Sequence, residues 1–111
     1  MSKLRNRVQL IGHVGQEPEV KTFGEGKKVA NITLATNDFY RNDKGEKVEQ
    51  TEWHRVVAWG KTAEIIEKFV QKGKEIAVEG KLTYRSYEDK NGEKRYVTEV
   101  VADEILLMGS K

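Results

Sequence analysis

The sequence predicts an all-β fold, a five-stranded Greek-key barrel with one helix between its third and fourth strands. Three observations carry that expectation. Apolar and polar residues alternate over most of the chain, the pattern of strands with one buried face. A single segment near residues 63–70 switches to helical spacing. Clusters of Gly, Asn and Asp separate the alternating runs and supply the reversals. The 111 residues suffice for one core of ordinary size.

Taken in order, Val8, Leu10, Gly12 and Val14 alternate with Gln9, Ile11 and His13, predicting a first strand that closes at Gly15. Gly24-Glu25-Gly26 reads as a turn. Ala30, Ile32, Leu34 and Thr36 then alternate with Asn31, Thr33 and Ala35 in a second strand. Asn42-Asp43-Lys44-Gly45 supplies the next reversal, and a third strand runs from about Thr51 to Trp59. Ala63, Ile65, Ile66, Phe69 and Val70 follow at helical spacing, with Thr62 as the expected N-cap and Gly73 as the expected residue past the C-terminus. Ile76, Val78, Gly80, Leu82 and Tyr84 share one face of a fourth strand. Asp89-Lys90-Asn91-Gly92 carries the Asn-Gly hairpin signal. Residues 94–102 make a fifth strand, and Ile105 to Met108 a short apolar end. This order suits a barrel of the oligonucleotide/oligosaccharide-binding (OB) type, although a generic α+β sandwich would share it.

Composition removes several functions. The chain has no cysteine, which excludes disulfides, Cys-ligated zinc and a thiol nucleophile. No apolar run approaches the ~20 residues of a membrane-spanning helix. The basic N-terminal residues have no apolar stretch behind them, so they do not read as a signal peptide. His13 and His54 lack metal-ligand spacing, and none of the three serines sits in a nucleophile elbow. No catalytic constellation emerges, and no cofactor or metal is expected. Charge is evenly mixed, with 20 Lys or Arg against 18 Asp or Glu, and reads as a solvated surface. A polyanionic partner would require folding to gather the cations on one side.

The third strand is the most informative segment. Thr51, Trp53, Arg55, Val57 and Trp59 share one face, while Glu52, His54, Val56 and Ala58 share the other. Two arrangements fit: one Trp is core and Arg55 snorkels to the rim, or the face is exposed and offers two stacking platforms beside a cation. Base–aromatic stacking contributes ~1–3 kcal/mol per contact. Tyr40 with Arg41, and Tyr87 with Arg85, Thr83 and Lys81, favour the second arrangement. They place aromatics beside cations at the roots of two hairpins, a pattern suited to a single-stranded polyanion. Tyr84, Tyr96 and Phe39 are expected to pack. His54 shares its face with Val56 and Ala58 and is expected to be satisfied rather than reactive.

Several segments resemble the bacterial single-stranded DNA-binding protein family: Gly12-His13-Val14-Gly15-Gln16-Glu17-Pro18-Glu19-Val20, Val29-Ala30-Asn31-Ile32-Thr33-Leu34-Ala35-Thr36 and Gln50-Thr51-Glu52-Trp53-His54-Arg55-Val56-Val57. Lys72-Gly73, Glu79-Gly80-Lys81-Leu82 and Tyr96-Val97-Thr98-Glu99-Val100 extend the resemblance over about residues 4–108. The stacking magnitude above comes from that class of protein and not from this sequence. The resemblance implies an OB-fold homotetramer, with a dimer as the alternative. It also implies sequence-nonspecific binding of single-stranded DNA in replication, recombination and repair, in the bacterial cytoplasm at the nucleoid. The implied stacking residues are Tyr40, Trp53, Trp59 and Tyr87, with the two tyrosines stacking more weakly than Trp. The implied phosphate contacts are Lys3, Arg7, Lys21, Arg41, Arg55, Lys61, Lys72, Arg85 and Arg95, and His54 is implied at a subunit interface. The family's Gly/Pro/Gln-rich linker and acidic tip have no counterpart here. Residues 1–108 therefore read as the DNA-binding domain and 109–111 as a short remnant, so tail-recruited replication and repair partners do not carry over. A primosomal replication protein of the same fold, or an OB module binding protein or oligosaccharide, are the alternatives.

Overall fold

The computed structural model describes residues 5–108. Its elements are β1 (Val8–Val14), β2 (Glu19–Phe23), β3 (Lys27–Arg41), β4 (Lys47–Trp59), α1 (Gly60–Phe69), β5 (Glu75–Glu88) and β6 (Lys94–Leu107). Strands lie in the order β1-β5-β6-β4-β3-β2, and a further pairing of β1 with β3 closes five of them into a barrel. The closure is brief, with His13 opposite Ala35 and Val14 opposite Leu34. The five predicted barrel strands and the helix between the third and fourth of them are thus present.

The strand β2 is an addition. It pairs with β3 outside the closed ring. Among its five residues only Val20 packs against the core, so it shows no alternation to read. The helix also begins earlier than expected. Trp59 takes the N-cap position without a side-chain hydrogen bond, and Thr62 lies inside the first turn. Gly60, at φ +61°, swings the chain directly from strand to helix. Gly73 lies beyond the end of α1, where its amide donates to the Val14 carbonyl at 2.7 Å. Finally, residues 105–107 continue β6. Glu79 faces Glu104 while Gly80 faces Ala102, leaving Asp103 as the extra residue of a bulge.

Inward-facing residues of every barrel strand meet the apolar face of α1 in one core. Leu34, Ile66, Ile76, Val14 and Val56 are fully buried. Leaving water contributes roughly 1.5–3 kcal/mol for each of these side chains. Two glycines make the tight curvature possible. A β-carbon on Gly12 would stand 2.2 Å from the Ala35 carbonyl oxygen, and one on Gly80 would stand 2.1 Å from that of Val101. Both contacts are to backbone, which cannot swing aside as a side chain could.

The β3–β4 and β5–β6 ladders run past the barrel as two arms. Their tips are built alike. Asn42 Oδ1 accepts the amides of Lys44 and Glu46 at 2.9 and 3.0 Å. Asp89 Oδ1 accepts those of Asn91 and Glu93, both at 2.9 Å. Asp89 Oδ2 also accepts from Arg95 Nε at 2.8 Å. Among the described residues no non-glycine has a positive φ, so Asn91-Gly92 does not form the two-residue turn its sequence suggests. The capping side chain at the start of each tip widens the reversal instead.

Two predictions follow from this geometry. Gly12→Ala and Gly80→Ala should each destabilise the fold by ~3 kcal/mol, the upper part of the overpacking range, in urea unfolding. The second concerns acid. The Arg95 guanidinium, with the amides of the tip, holds the Asp89 carboxyl below its ordinary value of 3.8. A depressed native pKa means that its stabilisation is complete above that ordinary value and is lost as pH falls through the lower native one. Amide exchange at Asn91 and Glu93 should therefore accelerate in acid beyond that at Lys44 and Glu46. Asp89→Asn should remove the difference.

Candidate nucleic-acid interface

The face of β4 that carries Trp53, Arg55 and Trp59 points to solvent. Trp53 is 61% exposed and Trp59 52%, whereas Val56 and Ala58 on the other face are buried. This decides between the two arrangements left open by the sequence, because neither indole is core. Val57 shares the outer face but is covered.

Each indole has a local support. Trp53 lies on Gly15, whose missing β-carbon would stand 2.4 Å from the ring. Gly15 is itself held by donating to the Thr33 carbonyl at 2.8 Å. Trp59 meets Phe23 edge to face, with ring centroids 6.0 Å apart. Lys21 faces Val29, which faces Trp59 across the next pairing, so a cation stands two strands from that indole. Lys61 lies in the first turn of α1, two residues on from Trp59.

Tyr40 and Tyr87 are about half exposed, each on an arm. By the continuous register of β3 with β4, Phe39 falls on the face of Trp53 and Tyr40 on the other. Phe39 was expected to pack; instead it is 51% exposed and lies under the Lys47 ammonium at 4.2 Å. Tyr84 and Tyr96 were likewise expected to pack. They are 65% and 75% exposed, because the arm carries its inward-parity face beyond the end of the barrel.

The cations divide into two groups. Arg7 makes a two-pronged bond to Asp103, 2.9 and 3.2 Å, and reaches Glu79 at 3.5 Å. Arg85 grips Glu99 with Nε and a terminal nitrogen at 3.1 and 2.9 Å. That contact raises the Arg85 pKa above its ordinary value. Arg95 is bound to Asp89. Arg41 instead donates to the Gly45 carbonyl at 2.8 Å. Lys21, Arg55, Lys61 and Lys72 have no carboxylate partner among the described residues. Lys3 lies outside the described residues.

Trp53, Arg55, Arg85 and Glu99 line one cleft of about 640 Å³ on the outside of the barrel, together with Glu17 just before β2 and Glu19 at its start. Tyr40, Trp59 and Tyr87 do not line it, so the predicted aromatics are spread around the barrel and arms. His54 borders the cleft half-buried, with Nε2 at 2.9 Å from Thr36 Oγ1. Reasoning from sequence missed Gly15 and Glu99. Gly15 left a trace as a glycine ending a strand, whereas Glu99 appeared only inside a family-like segment, since nothing in the alternation separates a buried glutamate from the many solvated ones.

This geometry has close counterparts. The chain is 43% identical to the single-stranded DNA-binding protein 1 of Chlorobaculum tepidum, over all of its own length and 69% of that protein. It is 44% identical to the corresponding protein 1 of Xylella fastidiosa over 96% of its own length and 79% of that protein. Among solved structures it superposes on the Plasmodium falciparum protein in complex with single-stranded DNA. The TM-score there is 0.88 at 32% identity, covering 98% of this chain and 99% of that one. A deletion mutant of the Thermus aquaticus single-stranded DNA-binding protein gives a TM-score of 0.82 at 32% identity, covering 96% of this chain and 51% of that one. The profile of the single-strand binding protein family matches residues 5–108, and with that match, these relatives and the closed five-stranded barrel, the chain belongs to the single-strand binding protein family.

Proposed function

We propose that this chain binds single-stranded DNA without regard to sequence, and so protects exposed strands in replication, recombination and repair. The observation that carries the reading is the exposure of Trp53 and Trp59 on the face of one strand, with Arg55 between them and without a carboxylate partner among the described residues. Unpaired bases have two apolar faces and lack the neighbours that cover them in a duplex. Flat indoles held at fixed spacing replace those neighbours, and stacking tolerates every base because each has a π-face. Tyr87 adds a platform on the β5–β6 arm, and Tyr40 adds one on the β3–β4 arm from the face opposite to Trp53. Arg55, Lys21, Arg41, Lys61 and Lys72 supply charge for phosphates, while Arg7, Arg85 and Arg95 enter with carboxylates already attached. Lys3 completes the set implied by the family.

The same reading includes self-assembly into a homotetramer. β1 pairs with β5 along residues 8–13 but with β3 only at 13–14, so much of its second edge is open to another strand. Ile11, Ala77 and Leu106 stand side by side on the outer face, with Ile11 56% and Leu106 63% exposed. An open edge beside an apolar face suits a second copy of the chain. Assembly would also bring several DNA-binding faces onto one particle, with His54 near a subunit contact.

Titration with poly(dT) at low salt should quench the Trp fluorescence, and no quenching would overturn the proposal. Affinity should fall with salt by about −0.7 in log–log slope per phosphate neutralised. Trp53→Ala and Trp59→Ala should each weaken binding by ~1–3 kcal/mol, the general worth of one base stacked on an aromatic. Gly15→Ala should tilt the Trp53 ring, shifting its emission and weakening binding while the thermal unfolding midpoint stays close to that of the parent.

A further inference from the structure

Of the described residues, Glu99 is the only charged side chain that is buried, at 8% residue exposure, and it lies in the wall of the cleft. Both of its carboxylate oxygens accept from Arg85, which is itself about half exposed to the cleft side. We propose that Glu99 holds Arg85 as a neutral positioning pair, an internal anion already seated where a phosphate would otherwise bind. The proposal rests on the reading of the cleft as a single-stranded DNA site.

Two features of the geometry make Glu99 decisive. A phosphate could take the full guanidinium fork of Arg85 only by displacing Glu99, and a carboxylate left buried without its partner is strongly unfavourable. Arg85 therefore keeps Glu99 and offers a phosphate only the donors that remain. Glu17 and Glu19 also line this cleft, which leaves Arg55 as its uncommitted cation. Arg55 releases counterions when a strand binds, whereas Arg85 fixes shape. Glu99 thereby sets both the affinity and the salt dependence of this part of the interface, trading strength of binding for ease of exchange.

The test is the poly(dT) titration of the full chain at a series of salt concentrations, with folding checked by circular dichroism. Glu99→Gln removes the internal charge and keeps the shape. It should steepen the log–log slope by about 0.7 and tighten binding about five-fold at 0.1 M salt, the effect of one added phosphate contact. The gain should vanish in the double variant E99Q/R85Q. Independently, R55Q should flatten the slope by about 0.7, whereas E99Q/R85Q, which removes the pair as a neutral unit, should keep the slope of the parent. Unchanged affinity and slope in E99Q, or a gain that survives in the double variant, would overturn the proposal. So would an E99Q/R85Q slope flattened as far as that of R55Q, a comparison that holds even if E99Q alone fails to fold. Failure of the parent chain to bind poly(dT) would instead overturn the functional reading beneath it.

Discussion

Closure of a barrel this small depends on two backbone approaches that only glycine permits. At Gly12 the first strand crosses close to the carbonyl of Ala35, and at Gly80 the fifth crosses close to that of Val101. Between them they let five strands bend around a core that Leu34, Ile66 and Ile76 fill. Much of the remaining architecture follows. The ring uses only part of each long strand, so β3 with β4 and β5 with β6 continue outward as arms. With the interior filled, the space left for a ligand lies on the outer surface. The bulge at Asp103 belongs to the same adjustment, since it falls beside the Gly80 crossing and is secured from outside by Arg7.

The barrel was legible because one buried face per strand writes a period of two into the chain, and Ile32-Leu34 and Ile76-Val78 write it clearly. The helix was legible from Ala63, Ile66 and Val70, but its start was not. Trp59 and Gly60 make the corner through backbone conformation, without the side-chain cap that Thr62 seemed to offer. β2 escaped notice because a short strand outside the ring buries little. The arms were misread where parity was taken to mean burial. Tyr84 and Tyr96 keep the parity of core residues, but alternation records which way a side chain points and not whether the barrel still extends beneath it.

For the site, type and spacing on β4 carried most of what was needed: two indoles and a guanidinium in phase are visible in the seven residues from Trp53 to Trp59. Their supports were not. That Gly15 underlies Trp53, and that Phe23 meets Trp59 edge-on, depend on contacts across strands whose register the sequence does not display. The cations show the same limit more sharply. Arg55 and Arg85 look equivalent in the sequence, each two residues from an aromatic on the same strand face. Folding separates them by giving one a buried carboxylate and leaving the other bare. A near balance of charge over the whole chain is thus compatible with a polyanion partner, because pairing decides which cations remain to meet it.

That the cleft lies outside the barrel has a consequence for how a bound strand departs. Among the described residues nothing encircles it, so a strand lying along Trp53, Trp59 and the arms would leave sideways and not by threading. Trp53 and Trp59 are separate supports on β4, and Tyr40 and Tyr87 stand apart on the arms, so a base could leave one platform without disturbing the base on the next. Detachment would then proceed as a series of small barriers, one base at a time, in place of a single large one. A translocating motor arriving at one end would meet resistance from one platform at a time and not from the whole interface. Tight total binding and easy clearance by an advancing machine are then compatible in one surface.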